Sequence, residues 1–565
     1  MSSLATRSDG PPFASTRARR GMDPFGWRAL VVVALVAAAI AIGWQQWSLA
    51  GDFRIDDAYI TFAFAKNLAH GHGPVFSHGV VVEGYSNFLW MALMAIPFAF
   101  GASDPYPFAR VLGALSLGVL VLVTYRLART RSAAVFALGA AVIVLECTDL
   151  FRAARSGLET ASYAAALATA TLVYLDEPPR SRRASLYGFV VVALLRIDGM
   201  VPLVFVLGFE VASAIVERRF SWRSLARWAV PPLSVYLAYF AWRYHTYGLP
   251  LPSTYYAKQL VASDPARGPV YAWGAVRALG VLALAPFVAL AVLTRVRRRA
   301  AFLGLYVAVH AGYVIHVGGD WMPFDRFWLP IVPFVAVLAA WGFAAAWNLA
   351  SRARWPVQVL VALAIASAFR FTTRRASAAT IETPEEAQKV GLSVFITRLT
   401  TDELMGDVPF LRLIIRDPND RLVTDYAGVF GVEVDAAIID MWGLCNATIA
   451  VRGNAEGIQP MYGKTCVPCY VELRPTYFHT ITPLVRARDS FRGQGQIIDE
   501  IFQGPALDRV IDLRHAFAAG RVTELSTGRT LWFLERRRRN FPLGPRVPRP
   551  GWMVDYPFEG GGARP

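Results

Sequence analysis

The chain has 565 residues, of which 55% are hydrophobic and 17% are charged, and its formal net charge is +16. The apolar residues are gathered into runs long enough to cross the hydrocarbon core of a bilayer, which argues against a soluble globular protein. Clusters of Arg recur between these runs, as in the cytoplasmic loops of membrane proteins. The positive charge therefore does not indicate nucleic-acid binding.

The first apolar run covers residues 27–47 and follows Arg17, Arg19 and Arg20, which predicts a cytoplasmic N-terminus. Residues 1–26 are predicted to be disordered. A signal peptide cleaved at 48–50 is the alternative interpretation of the first run. A retained helix is favoured, because the run is long and many apolar runs follow it.

Basic clusters between the later runs allow the membrane topology to be threaded from charge. About eleven spans are predicted in the membrane domain, which covers residues 27–370. The spans after the first lie near 107–126, 132–148, 160–175, 184–195, 200–216, 228–244, 271–293, 300–316, 327–349 and 355–370. The apolar run 87–100 is instead predicted to form a helix on the outer surface, because an extra span would place the Arg126 to Arg131 cluster outside.

Composition changes after Phe371, where apolar runs shorten to strand length and Gly, Pro and charged residues return. An α+β domain is predicted for residues 371–545, followed by a disordered tail at 546–565. An odd number of spans places this domain outside the cytoplasm.

Three of the four cysteines, Cys445, Cys466 and Cys469, follow Phe371. An oxidising compartment favours a disulfide, and the expected bridge joins Cys445 to one of the other two. The spacing of Cys466 and Cys469 also fits half a zinc site or a redox pair. No second pair of metal ligands and no thioredoxin-like pattern accompanies it, so a structural bridge is favoured.

Two adjacent carboxylates, Asp56 and Asp57, come directly after the first span. A carboxylate at the mouth of a span can act as a general base where a lipid-borne substrate meets water. Asp56 is predicted to be the principal catalytic residue, with Asp57 assisting it. Residues 57–69 are predicted to form a helix along the membrane surface, with Ile60, Phe64 and Leu68 on its apolar face. Helix capping is the alternative role for one of the two carboxylates.

The remaining loops on the outer side combine acids, cations and aromatic residues, whereas the inner loops hold little beyond Arg. Lys or Arg can neutralise a departing phosphate, and Lys258 is predicted to do so, with Arg326 or Arg196 in reserve. Snorkelling to lipid headgroups is the alternative role for Lys258. The predicted substrate-binding residues are Glu83, Glu159, Arg196, Asp198, Lys258, Asp320, Trp321 and Arg326. Aromatic candidates for stacking on a sugar or lining a lipid groove are Trp90, Tyr256, Trp321 and Phe324.

These motifs follow one another in a recognisable order: Asp56-Asp57, then 71–76, Glu83, 157–160, 250–254 and 318–320. The order resembles the GT-C membrane glycosyltransferases, and most closely the terminal β-(1→2) arabinofuranosyltransferases of the mycobacterial cell wall. The resemblance covers about residues 27 to 345 and continues weakly at 425–428 and 439–444. It implies a polyprenyl-phosphate-sugar donor, a catalytic aspartate after the first span and an extracytoplasmic C-terminal domain.

The function predicted from these features is transfer of a sugar, with arabinofuranose as the candidate, to a cell-envelope glycan or lipid acceptor at a bacterial plasma membrane. No cofactor is expected, and a divalent cation is left open. A polytopic transporter or flippase is the first alternative, but internal repeats and ionisable residues at mid-membrane are lacking beyond Arg196 and Asp198. A sensor with an outer domain is the second, and it would not need several polar loops converging on an Asp pair.

Overall fold

The computed structural model describes residues 24–51, 54–77, 80–176, 183–259, 264–294, 298–320, 322, 325–377, 401–453, 466, 469, 472–479, 516–527, 529–537, 543 and 550–556. The predictions for residues 1–23 and for Trp321 and Phe324 fall outside these ranges.

The chain is mostly helical up to Ser377, in agreement with the prediction. The helices of this part are α1 (Pro24–Leu49), α2 (Asp56–Ala69), α3 (Phe88–Ala99), α4 (Tyr106–Arg129), α5 (Ala134–Leu145), α6 (Thr148–Arg155), α7 (Thr160–Asp176), α8 (Arg183–Leu195), α9 (Met200–Val216), α10 (Trp222–Tyr247), α11 (Ser253–Ala257), α12 (Arg267–Ala278), α13 (Ala285–Thr294), α14 (Arg298–His316), α15 (Val332–Ala350) and α16 (Trp355–Ser377). The predicted domain boundary at residue 371 therefore lies inside α16.

Five helical segments within the described residues are long and apolar enough to cross a membrane. They are Leu30–Leu49, Tyr106–Arg129, Ile197–Val216, Leu329–Ala350 and Trp355–Thr373. Seven spans result if each of two bent helix pairs counts as one: α5 with α6, bent by 51°, and α12 with Val281–Leu293, bent by 75°. With these apolar helices the chain is a membrane protein, but the predicted number of about eleven spans is not confirmed.

The four other predicted spans fall on helices that are shorter or more polar. The 160–175 and 184–195 runs form α7 and α8, which have 17 and 13 residues. The 228–244 and 300–316 runs lie in α10 and α14, which have 26 and 19 residues. These two helices carry Arg and His residues, which lower their mean hydropathy.

The apolar helices differ in how deeply they are buried: α15 is central, whereas α1 and α16 are peripheral. In α15 the most apolar stretch is 89% buried, whereas the corresponding stretches of α1 and α16 are only 6% and 11% buried. Apolar side chains such as Leu122 and Leu360 are each 65% exposed. Exposed aliphatic faces on long helices are expected where lipid rather than water surrounds the protein.

The helix α2 forms as predicted, but it does not lie on a membrane surface with one apolar face. Every residue from Ala58 to Ala65 is buried. One side of α2 packs on α3, and another packs on a helix of the C-terminal domain, α18 (Ala427–Glu433). Tyr59, Phe62 and Ala63 lie off the predicted stripe and are also apolar, which is why the helix can be enclosed on several sides.

The run 87–100 forms the helix α3, as predicted. Its residues Trp90, Met91, Met94, Ala95 and Phe98 are buried. The helix packs against α2 and α8 and more weakly against α4. It therefore forms part of the protein core around the end of α2 rather than only a surface layer.

The C-terminal domain contains the predicted mixture of helices and strands. A six-stranded sheet has the order β2-β1-β3-β5-β4-β6. Its strands are β1 (Arg421–Thr424), β2 (Ala437–Asp440), β3 (Tyr477–Phe478), β4 (Phe517–Glu524), β5 (Thr530–Arg536) and β6 (Trp552–Asp555), and its other helices are α17 (Thr401–Ile414) and α19 (Ala447–Arg452). Because β1 and β2 are parallel and α18 connects them, the loops that follow both strands leave the same edge of the sheet.

Two predictions for the C-terminal domain are wrong. Residues Trp552–Asp555 are not disordered, because they form β6, which pairs with β4 as an edge strand of the sheet. Cys445 is not bridged: the disulfide joins Cys466 to Cys469, and Cys445 is a buried free thiol. Cys445 packs against Gly84 of the membrane domain. A Cβ atom added at Gly84 would lie 2.6 Å from the Cys445 Sγ atom.

Candidate functional site

A cavity of about 250 Å³ lies where α2, the loop before α3, the ends of α8 and α14, and α11 converge. Its wall contains most of the predicted substrate-binding residues and one of the two adjacent aspartates. The charged residues of the wall are Asp57, Glu159, Arg196, Asp198, Lys258, Arg267, Asp320 and Arg326. Loops separated by more than 250 residues in sequence thus bring their ionisable groups into one space.

The two carboxylates in the first turn of α2 point in different directions. Successive residues on a helix are rotated by about 100°, so Asp56 and Asp57 cannot share a direction. Asp57 is half-buried and lines the cavity. The N-cap of α2 is Ile55, which makes no capping hydrogen bond with its side chain. Neither carboxylate therefore occupies the N-cap position. Both lie in the first turn of the helix, where the helix dipole favours negative charge.

Asp56 contacts the C-terminal domain. Its Oδ2 atom accepts a hydrogen bond of 3.0 Å from the Gly428 N–H, and its Oδ1 atom accepts one of 2.7 Å from the Val429 N–H. Burial raises the pKa of Asp56 to about 7, although these two hydrogen bonds favour the charged form. The role of Asp56 as the principal catalytic carboxylate stays a prediction, and its hydrogen bonds place it against α18.

Asp57 lines the cavity together with two cations, Lys258 and Arg326. Burial raises the pKa of Asp57 above its ordinary value, while Lys258 and Arg326 oppose that rise. Burial likewise lowers the pKa of Lys258, and Asp320 and Asp57 oppose the fall. Arg326 donates its Nε–H to Asp320 over 2.7 Å. These four groups form a mixed cluster in which one acid, Asp57, is held partly towards its neutral form.

Arg196, Asp198 and Glu159 form a second charged cluster in the cavity wall. Arg196 makes a two-pronged ion pair with Asp198, with Nε–Oδ1 and Nη2–Oδ2 distances of 2.9 Å. The Glu159 carboxylate lies 3.6 Å from Arg196 Nη1. The guanidinium carbon of Arg196 also lies 5.1 Å from the centre of the Tyr163 ring. Arg196 and Asp198 are both buried and both line the cavity.

Several wall residues were not among the predicted binding residues. Asn87 donates its Nδ2–H to Glu159 over 2.7 Å and accepts from Thr61 Oγ1 over 3.2 Å. The only signal for Asn87 in the sequence is its place in the polar stretch 85–87. The cavity is also lined by the aromatic residues Tyr255, Tyr313 and Phe327. In the sequence they cannot be told apart from the aromatic residues that are common at membrane interfaces.

Glu83 lies behind the cavity wall. Both of its carboxylate oxygens accept from Arg243 Nε over 2.7 Å, and the two side chains are buried. Its backbone oxygen accepts hydrogen bonds from the N–H and the hydroxyl of Ser253, at the start of α11. Because α11 leads directly into Lys258, this position gives Glu83 a structural part in holding the Lys258 segment.

Two of the aromatic candidates, Trp90 and Tyr256, are not among the residues that line the cavity. Trp90 is buried and donates its Nε1–H to the Gly157 oxygen over 3.1 Å. Tyr256 packs partly buried against the core, and its neighbour Tyr255 lines the cavity instead. Among the residues that the structure describes, no group of three or more His, Cys, Asp or Glu side chains could hold a metal ion.

The C-terminal domain completes the site from the loop after β2. Leu444 lines the cavity, and its backbone oxygen accepts a hydrogen bond of 2.5 Å from the Ser253 hydroxyl. This loop is held by Asp440, which accepts N–H hydrogen bonds from Trp442 and Cys445. Burial raises the pKa of Asp440 to about 6. The weak sequence resemblance at 425–428 and 439–444 thus falls on the two loops that meet the membrane domain.

Comparison with known proteins agrees with this architecture. No family model matches the chain. The terminal beta-(1->2)-arabinofuranosyltransferase of Mycobacterium tuberculosis (strain ATCC 25618 / H37Rv) is 29% identical over 262 residues, which are 43% of this chain and 40% of that protein. The matched region is thus less than half of that protein's length.

Among solved structures, the apo form of ArnT from Cupriavidus metallidurans superposes with a TM-score of 0.51 and 11% sequence identity, over 90% of this chain and 98% of that one. A structure of the same ArnT bound to undecaprenyl phosphate gives a TM-score of 0.49 and 13% identity, over 91% and 98% of the two chains. The chain shares the fold of ArnT over nearly its whole length, and its similarity to the mycobacterial arabinofuranosyltransferase confirms the resemblance predicted from its motifs.

Proposed function

We propose that the protein is a glycosyltransferase that uses a polyprenyl-phosphate sugar as donor and a hydroxyl of a cell-envelope glycan or lipid as acceptor. The observation that carries the proposal is the cavity in which Asp57 faces Lys258 and Arg326. Such a site pairs an acid of raised pKa with cations suited to a phosphate. The GT-C fold supports the same reaction class.

The reaction proceeds by displacement at the anomeric carbon. Asp57 takes the proton of the acceptor hydroxyl, and the acceptor oxygen forms a bond to that carbon. The bond between the anomeric carbon and the phosphate oxygen breaks, and its electron pair remains on the phosphate. A carboxylate with raised pKa is a better base at neutral pH than one with the ordinary value.

The departing polyprenyl phosphate gains negative charge as its bond to the sugar breaks. Lys258 and Arg326 neutralise that charge, a role supported by their position in the wall of the same cavity as Asp57. A cation that meets charge developing in the transition state raises turnover more than it raises ground-state binding. Lys258 supplies a compact charge, and the Arg326 guanidinium is oriented by Asp320.

The sugar occupies the side of the cavity near Glu159, Arg196 and Asp198. The charge of Arg196 is already matched by two carboxylates, so this group is suited to hydrogen bonds with neutral hydroxyls rather than to a phosphate. Tyr313 and Phe327 provide apolar ring surface beside it. Arabinofuranose is the first sugar to test, because the mycobacterial relative is an arabinofuranosyltransferase.

The proposed orientation places the C-terminal domain outside the cytoplasm, where an envelope acceptor is available. The test is incubation of purified protein with a panel of polyprenyl-phosphate sugars, including arabinofuranose, and measurement of released polyprenyl phosphate. Release that requires both an acceptor and an intact Asp57 would support the proposal. Absence of release with every donor, in protein that retains its fold, would contradict it.

A further inference from the structure

The contact between α2 and the C-terminal domain is built around α18. That short helix has Tyr426 at its N-cap, and Tyr426 makes no capping hydrogen bond with its side chain. A capping side chain normally accepts from the N–H of the second or third helical residue. Gly428 and Val429 occupy these positions, and the Asp56 carboxylate accepts from both. Asp56 thus caps a helix more than 370 residues later in the sequence.

The other end of α18 is also held by α2. Lys66 donates its Nζ–H to the Val432 oxygen over 2.6 Å. A carboxylate at a helix N-terminus and a cation at its C-terminus both match the helix dipole. One helix of the membrane domain therefore supplies both charges that complement α18.

Glycines allow the two helices to approach closely. A Cβ atom at Gly428 would lie 2.0 Å from the backbone oxygen of Asp56 and 2.8 Å from its Oδ1 atom. A Cβ atom at Gly431 would lie 2.9 Å from the Phe76 ring and 3.2 Å from the Ala63 Cβ atom. At Gly428 the clash is with backbone, so the packing requires glycine there, whereas at Gly431 a side chain would force the Phe76 ring to shift.

We infer that Asp56 is a positioning residue, which docks α18 on α2 and thereby holds Asp57 in the cavity. The inference rests on the proposed function for the part played by Asp57, and on geometry alone for the docking. The same contact keeps the C-terminal domain close enough for Leu444 to form part of the cavity wall. The two adjacent aspartates thus have separate tasks: one faces the reacting groups and the other orients the helix that carries it.

The test compares Asp56→Asn with Gly428→Ala, a variant that leaves both carboxylates in place. An amide at position 56 replaces one acceptor oxygen with an N–H donor, so one of the two hydrogen bonds is lost and the other no longer has a charged acceptor. Amide hydrogen exchange at residues 427–433 should become about 10-fold to 100-fold faster in both variants. Gly118→Ala is the control, since that helical glycine has no atoms near its Cβ position.

Turnover gives the second measurement. A displaced base costs up to about 100-fold in kcat, so both variants should lose kcat while the donor KM changes little. The residual activity should keep the acidic limb of its pH profile, because Asp57 is still present. Loss of that limb in Asp56→Asn, with normal exchange at 427–433 and a fully active Gly428→Ala, would make Asp56 itself the base and overturn the inference.

The exchange measurement does not depend on the reaction. If wild-type protein transferred no sugar, the proposed function would fail, while faster exchange in both variants would still support the docking role. Unchanged exchange in both variants would refute the docking role whatever the enzyme does.

Discussion

Replacement of Asp57 by Asn tests the chemistry most directly. The substitution keeps the volume of the side chain and removes its ability to accept a proton. Loss of a positioned general base costs typically 10²-fold to 10⁴-fold, so kcat should fall by about 100-fold or more. The effect should appear in kcat rather than in the donor KM, because Lys258 and Arg326 remain in the wall.

The pH dependence follows from the environment of Asp57. Burial raises its pKa above the ordinary value of 3.8, with Lys258 and Arg326 opposing the rise. The base is active only when deprotonated, so wild-type kcat should increase with pH through a limb that lies above 3.8. The Asn variant should lack this limb.

The same pKa shift makes stability depend on pH, and stability should fall over the pH range in which kcat rises. A raised pKa in the folded state means that the folded protein binds more protons than the unfolded chain between 3.8 and the folded value. The contribution of Asp57 to stability therefore falls as pH rises through that window. A neutral Asn at this position should leave the Tm at neutral pH unchanged or higher.

The assay is release of polyprenyl phosphate from a purified sample over a range of pH, together with thermal unfolding. Asp435→Asn serves as the control, because Asp435 is an exposed carboxylate away from the cavity wall. Near-normal kcat in a folded Asp57→Asn protein would refute the assignment. A lower Tm in that variant would show that the Asp57 charge stabilises the fold, contrary to the effect of burial.

Three further measurements test other parts of the proposal. Lys258→Gln should lower kcat by about 100-fold, as removal of a donor to a developing negative charge does, and retention of both kcat and donor affinity would move the phosphate site to Arg326. Glu83→Gln should destabilise the protein by about 3–5 kcal/mol in denaturant unfolding, because it leaves Arg243 buried without its carboxylate; normal stability with a raised donor KM would instead support the predicted substrate contact. A reporter active only in the cytoplasm, fused at Pro565, should be silent, and strong activity there would reverse the topology.

Much of the site could be predicted from the sequence because charged residues in an apolar chain are costly and therefore informative. Asp57, Glu159, Arg196, Asp198, Lys258, Asp320 and Arg326 all lie in loops between apolar runs, and all line the cavity. The number of spans was harder to predict. Helices such as α7 and α8 are short, and α5 and α12 are each followed by a bend, so apolar composition alone does not fix the count.

Composition and local pattern were enough to predict the membrane class, the helix that starts at the Asp pair and the set of loops that meet at the cavity. These features depend on composition and local periodicity, which a linear pattern records. Which aspartate lines the cavity could not be predicted in this way, because Asp56 is held by α18, a helix far away in the sequence, while Asp57 lines the cavity. It also decided the pairing of Cys466 with Cys469 and the strand in the predicted tail. Each of these outcomes is set by distances between segments far apart in the chain, and no local pattern encodes such distances.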